Sequence, residues 1–124
     1  MIIFVSGAVS LAFLVCCAGL WAKTPSKGHA KAPSYATVQP IIQSKCVSCH
    51  SDKEHPEDVN LSSYEKLMKS GEHGSIVVPG HPEKSQLVLY INGQKQPRMP
   101  FRQPPLSSKD ISLISAWVKA GAHK

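Results

Sequence analysis

The chain is 124 residues long, with 14 Lys and Arg against 8 Asp and Glu, a formal net charge of +6 and 6% aromatic residues. That length holds one small domain, whose own apolar core is thin. Aromatic residues are few and the positive charge is spread out, which argues against nucleic-acid binding; the same charge suits contact with acidic proteins.

Residues 1–22, MIIFVSGAVSLAFLVCCAGLWA, contain no charged side chain. They read as a signal peptide or an N-terminal membrane anchor. No Lys or Arg precedes the apolar run, whereas Lys23, Lys27 and Lys31 follow it, the opposite of the charge bias expected at an exported start. Cys17 offers a lipoprotein cysteine as a weaker alternative. Residues 23–33, KTPSKGHAKAP, have no apolar periodicity and read as a basic flexible linker. Residues 34–124 remain for the domain.

Thr37 is placed to cap a first helix that runs through Ile41 and Ile42 to Cys46, with Pro40 in its first turn. Ser62 and Glu65 form a capping box for a second helix, with Tyr64, Leu67 and Met68 on its apolar side and Gly71 at its end. Residues Pro82–Ile91 predict a third, apolar helix closed by Asn92-Gly93. The last helix carries the clearest signals. Ser107 is its N-cap, Asp110 sits three residues on, and Leu106 and Ile111 are placed as a hydrophobic staple. Ile111, Ile114, Trp117 and Val118 repeat at helical spacing before Gly121. Trp117 belongs to the core. Strand signals are weak, so the domain is all-α, about four short helices separated by long loops.

Between the first two helices lies Cys46-Val47-Ser48-Cys49-His50. C-x-x-C-H is the attachment pattern of c-type haem. Two thiols three residues apart on a turn reach one edge of a porphyrin and add to its vinyl groups, and the following imidazole meets the iron. Zinc held with a further His and a redox-active dithiol are the competing readings. Zinc sites usually gather four ligands, often as two pairs, and no second C-x-x-C exists. A dithiol enzyme is expected in a strand–helix–strand setting, which the chain does not show.

A haem iron bound by His50 leaves its opposite face for a second ligand, and that ligand decides between electron transfer and chemistry on small molecules. Beyond the leader and linker the chain offers Met68, Met99, His55, His73, His81 and His123. Met68 stands at a core position of the second helix. Met99 lies in Gln96-Pro97-Arg98-Met99-Pro100-Phe101, a polar loop whose prolines restrict the backbone on both sides. It serves no amphipathic helix there, which makes it the candidate distal ligand.

Taken in order, these pieces form a pattern. After the pentapeptide come Asn60-Leu61-Ser62-Ser63-Tyr64, then Val78-Pro79-Gly80-His81-Pro82-Glu83-Lys84-Ser85-Gln86-Leu87. Arg98-Met99-Pro100, Pro105-Leu106-Ser107 and the run from Ile114 to Ala122 follow. Tyr35–Ala122 thereby resembles the single-haem c-type cytochrome domain of planctomycete type, a relative of class I cytochromes c. The resemblance implies a cytochrome c fold around one covalent haem c. It implies Cys46 and Cys49 as thioether anchors and His50 and Met99 as axial ligands. His81 stands where this family commonly has Asp or Asn, which predicts a weaker helix cap. Phe101 stands where a second proline is frequent. Relatives often carry this domain fused to larger proteins, and a chain stopping just after it points to a small carrier or a subunit of a larger assembly.

The expected function is one-electron transfer in a periplasmic or otherwise exported compartment, with no enzymatic activity and with redox partners bearing acidic docking surfaces. Residues 1–22 add a possible membrane attachment. Arg98 and Arg102 flank the Met99 loop, either to pair with a haem propionate or as solvated side chains. The alternative is a haem enzyme or a gas or peroxide sensor with an open distal site, which a high-spin resting spectrum would reveal.

Overall fold

The computed structural model describes residues 31–124. The proposed leader, 1–22, and residues 23–30 of the linker lie outside the described residues. Among those described, the regular structure is four α-helices, two isolated 3₁₀ turns and no strand. The domain is all-α, as its sequence predicts.

Helix α1 spans Tyr35–Lys45 and starts earlier than Thr37, with Ser34 at its N-cap. The Thr37 amide donates to the Ser34 carbonyl at 2.9 Å, inside the first turn. Pro40 therefore sits in the helix interior and not in its first turn, where its missing N–H leaves one helical bond unmade. Tyr35, Val38 and Ile42 are its buried stripe, spaced three and four residues apart as one helix face requires.

Helix α2, Tyr64–Lys69, is capped one residue later than the capping box predicts. The Ser63 hydroxyl accepts from the Lys66 amide at 3.3 Å. Ser62 is engaged elsewhere, its one hydroxyl proton shared between Asn60 Oδ1 at 2.7 Å and Asp52 Oδ1 at 3.1 Å. The apolar side is as expected: Leu67 is buried, and Tyr64 and Met68 pack partly buried against the core.

The predicted third helix is divided. A 3₁₀ turn covers Pro82–Lys84, and α3 proper runs Gln86–Ile91. Ser85 separates them because its hydroxyl is fully buried, accepting from the Val78 amide at 2.9 Å and donating to the His81 carbonyl at 2.9 Å. His81 makes no side-chain cap; its ring meets Glu83 at 2.9 Å instead. Helix α4, Ser108–Lys119, forms as predicted. Ser107 Oγ accepts from the Asp110 amide at 3.1 Å and donates to the Asp110 carboxylate at 2.7 Å. Gly121 ends the helix in the left-handed region, with φ +104°.

Helix α1 packs on α4, and α3 packs on both α4 and the 3₁₀ turn before it. Trp117 is the largest fully buried side chain. Its ring lies 5.9 Å from Tyr35, and its indole N–H donates to the His123 carbonyl at 2.9 Å. Trp117→Ala is expected to destabilise the domain by about 3–5 kcal/mol, the usual cost of emptying a buried aromatic site. Trp117→Phe should cost about 1–2 kcal/mol, from the lost hydrogen bond and some volume. Urea titrations of both variants check this. None of the described helices is long and apolar enough to cross a membrane.

Candidate cofactor cavity

The pentapeptide begins where α1 stops. The Cys46 amide still donates to the Ile42 carbonyl at 2.9 Å, and the Cys49 and His50 amides both return to the Cys46 carbonyl, at 3.1 and 3.0 Å. This turn brings Cys46, Cys49 and His50 to one wall of a cavity of about 1010 Å³. Met99 reaches the same cavity from the loop after α3. Its amide donates to the Tyr90 carbonyl at 3.1 Å, tying the loop to the end of that helix. Leu61, Ile76, Leu87 and Ile91 supply apolar walls.

His50 is fixed from two directions. Its carbonyl accepts from the Leu61 amide at 2.9 Å, and its Nδ1 lies 3.0 Å from the Val59 carbonyl. A carbonyl can only accept, so Nδ1 carries a proton, and in the neutral ring Nε2 is the nitrogen with the free lone pair. Orienting a ring through its second nitrogen is how proteins prepare an imidazole ligand. The segment that grips His50 is itself held by Ser70. That buried hydroxyl accepts from the Asn60 amide at 2.8 Å, and its one proton has the Asn60 and Lys66 carbonyls within reach, at 2.8 and 2.9 Å.

The two cysteines are free thiols in different settings, Cys46 half-buried and Cys49 exposed. Burial first, and the neighbouring Cys49 second, push the Cys46 thiol up to about 11. Among the described residues, no group of three or more His, Cys, Asp or Glu side chains is arranged to hold a metal ion. The zinc reading thus finds no ligand set here.

Met68 does not line the cavity, nor do Arg98, Arg102, His55, His81 or His123. Arg102 instead stacks its guanidinium over the Phe101 ring at 5.0 Å. His73 does line the cavity, beside Gly71 and Gly74. Gly71 has φ +116°, and a Cβ there would fall 2.2 Å from the Gly74 carbonyl oxygen, so only glycine makes this turn. Sequence reasoning counted His73 among several histidines. Only the fold brings it to the rim, because Gly71 and Glu72 donate to the carbonyls of Asp58 and Glu57 at 3.0 and 3.1 Å. Those two acidic residues are themselves left-handed, with φ 56° and 58°.

Asp52, two residues past His50, links the pentapeptide to α2. Its carboxylate accepts from Lys66 Nζ, from Asn60 Nδ2 at 2.8 Å and from Ser62 at 3.1 Å. The Lys66 hydrogen bond, then those of Asn60 and Ser62, hold its pKa at about 2, below the ordinary 3.8. A carboxylate with a depressed folded-state pKa adds stability above its ordinary pKa and loses it as pH falls. Wild type should therefore lose stability relative to Asp52→Asn between about pH 4 and pH 2. The site is exposed, so the effect is modest. Thermal melts of both proteins across that range measure it.

An apolar cavity at the upper end of the roughly 300–1,000 Å³ span of cofactor sites, with paired thiols, an oriented imidazole and a thioether on its walls, fits a c-type haem. Residues 46–102 match the family model of planctomycete cytochrome C. The search of curated proteins returns no match, and neither does the search of solved structures.

Proposed function

We propose that this protein is an exported one-electron carrier, a reading supported by the match of residues 46–102 to the family model of planctomycete cytochrome C. Cys46 and Cys49 would hold haem c in the cavity through two thioethers, and the group would supply one-electron redox chemistry at its iron. His50 presents its Nε2 lone pair, kept in place by the Val59 carbonyl on Nδ1. Met99 presents its sulfur from the opposite loop. A soft thioether favours reduced iron and raises the potential. With His50 and Met99 both holding the group, no open site would remain for a substrate, which favours a carrier over an enzyme.

The observation that carries this reading is the convergence of Cys46, Cys49, His50 and Met99 on one apolar cavity. Haem is joined to C-x-x-C-H motifs outside the cytoplasm, which agrees with residues 1–22 serving as a signal peptide or membrane anchor. The formal charge of +6 favours partners with acidic surfaces. The protein expressed with a working haem-maturation system should show one haem per chain by pyridine haemochrome assay. Its denatured mass should exceed that of the polypeptide by one haem. A colourless protein, or haem that leaves on denaturation, would refute the proposal.

A further inference from the structure

The Val59 carbonyl that meets His50 Nδ1 at 3.0 Å and the Asn60 N–H are the two ends of a single peptide group. The Asn60 N–H donates to Ser70 Oγ at 2.8 Å. One planar unit therefore carries a hydrogen bond at each end, the imidazole on one side and a serine hydroxyl on the other. Just before it in the chain, the two segments pair through backbone alone. The Gly71 and Glu72 amides donate to the Asp58 and Glu57 carbonyls, at 3.0 and 3.1 Å. At Asn60 a side chain takes the place of a backbone acceptor.

Ser70 stands behind the cavity wall. Val59 lines the cavity and Ser70 does not, yet Ser70 is only 3% exposed. Its own proton has the Lys66 carbonyl of α2 and the Asn60 carbonyl within reach, at 2.9 and 2.8 Å. With either partner, the oxygen keeps a lone pair for the Asn60 N–H. The Asn60 side chain is anchored as well. Its Nδ2 donates to Asp52 Oδ1 at 2.8 Å, and its Oδ1 accepts from the Ser62 amide at 3.1 Å. The peptide is thus held square to the ring of His50.

Hydrogen bonds in series polarise one another, by about 10–30% per bond. An N–H drawn towards Ser70 leaves the carbonyl of its peptide more negative. A more negative carbonyl pulls harder on the Nδ1 proton, and the imidazole becomes more basic at Nε2. We propose that Ser70 is a positioning residue for His50, which sets through the Val59–Asn60 peptide how electron-rich the proximal imidazole is, and thereby the haem potential. The proposal rests on the carrier reading above, in which His50 is an axial ligand. An electron-rich imidazole favours oxidised iron, so Ser70 lowers the potential that the Met99 thioether raises.

The test uses the haem-loaded full chain and two readouts, the midpoint potential by voltammetry and the His50 Nδ1–H resonance of the reduced protein by NMR. Ser70→Ala leaves the Asn60 N–H without its acceptor. It is expected to raise the potential by about 30 mV, a roughly threefold change in the oxidised-to-reduced ratio at about 59 mV per tenfold for one electron. Its Nδ1–H should move upfield and exchange with solvent about tenfold faster, as weakening one hydrogen bond allows. Ser70→Cys fills the site with a weaker acceptor and should move both readouts the same way by less. Ser70→Thr keeps the hydroxyl and should stay near wild type. Leu67→Val loosens the buried side of α2 without touching these bonds. It should lower the midpoint of urea unfolding and leave the potential and the Nδ1–H unchanged. If Ser70→Ala and Ser70→Cys both keep the wild-type potential and resonance, or if Ser70→Thr or Leu67→Val moves them as far as Ser70→Ala does, the role of Ser70 is overturned while the carrier reading stands. A wild-type protein without a haem wave in voltammetry removes the carrier reading and this role together.

Discussion

Replacing Cys46 and Cys49 together with alanine is expected to abolish covalent haem and, with it, most of the stable fold. The helices span 11, 6, 6 and 12 residues, lengths that are marginal in water without tertiary packing. Part of that packing faces the cavity. Leu61, Ile76, Leu87 and Ile91 are buried members of the core and also line it. With haem lost they border a void of about 1010 Å³ or collapse into it, and a small domain holds only about 5–15 kcal/mol of total stability. The double variant should show no haem stain on a denaturing gel, a denatured mass equal to the polypeptide alone, and strongly reduced helical circular dichroism. Each single variant should keep one thioether and an intermediate stability. Retention of haem through denaturation in the double variant would show that the pentapeptide is not the attachment site.

Met99→Ala should have the largest effect on function. The oxidised wild type is expected to be low-spin, with the weak red-edge band that marks sulfur bound to ferric iron. The variant should lose that band, become high-spin and admit cyanide or carbon monoxide. Its potential should fall by on the order of 100 mV, within the ~0.8 V over which axial ligands tune haem. Met99→His should restore six-coordination at a potential below wild type. His73 is the competing candidate, because its glycine turn brings it to the same rim. His73→Ala should leave the band and the spin state unchanged, and so should Met68→Leu, whose side chain lies outside the cavity. If the band survives in Met99→Ala and disappears in Met68→Leu, or if His73→Ala alone turns the protein high-spin, the ligand assignment is wrong.

The features legible in the sequence were those written into neighbouring residues. The Ser107–Asp110 cap lies within one turn, and local spacing located it correctly. The Cys46–His50 turn follows α1 directly. The errors came where a distant group outcompeted the local one. The Ser62 hydroxyl turns instead to Asp52, ten residues away, and to Asn60, and Ser63 makes the cap. The third helix breaks at Ser85 because that hydroxyl is needed by Val78 and His81. The helical spacing of the apolar residues alone predicted an unbroken helix there. The left-handed Glu57–Asp58 pair left no local signal at all. It is set by hydrogen bonds from Gly71 and Glu72, and through them His73 and Glu72 arrive at the rim. Met99 was legible as a candidate because it is an apolar side chain in a proline-framed polar loop with no amphipathic helix to serve; in the fold it also packs partly buried against the core. Its place in the same cavity as His50 depends on how α3 sits on α4.

The central claim is that this chain holds one haem with both axial positions filled by protein and uses it to move single electrons. A spectroelectrochemical titration of the purified protein tests this most directly, with absorption spectra recorded at each potential in the presence and absence of carbon monoxide. The expected result is a single one-electron Nernst curve, low-spin spectra at both ends, and no change on adding carbon monoxide. A high-spin resting spectrum with a carbon monoxide adduct forming on reduction would contradict it and point to a haem enzyme or sensor.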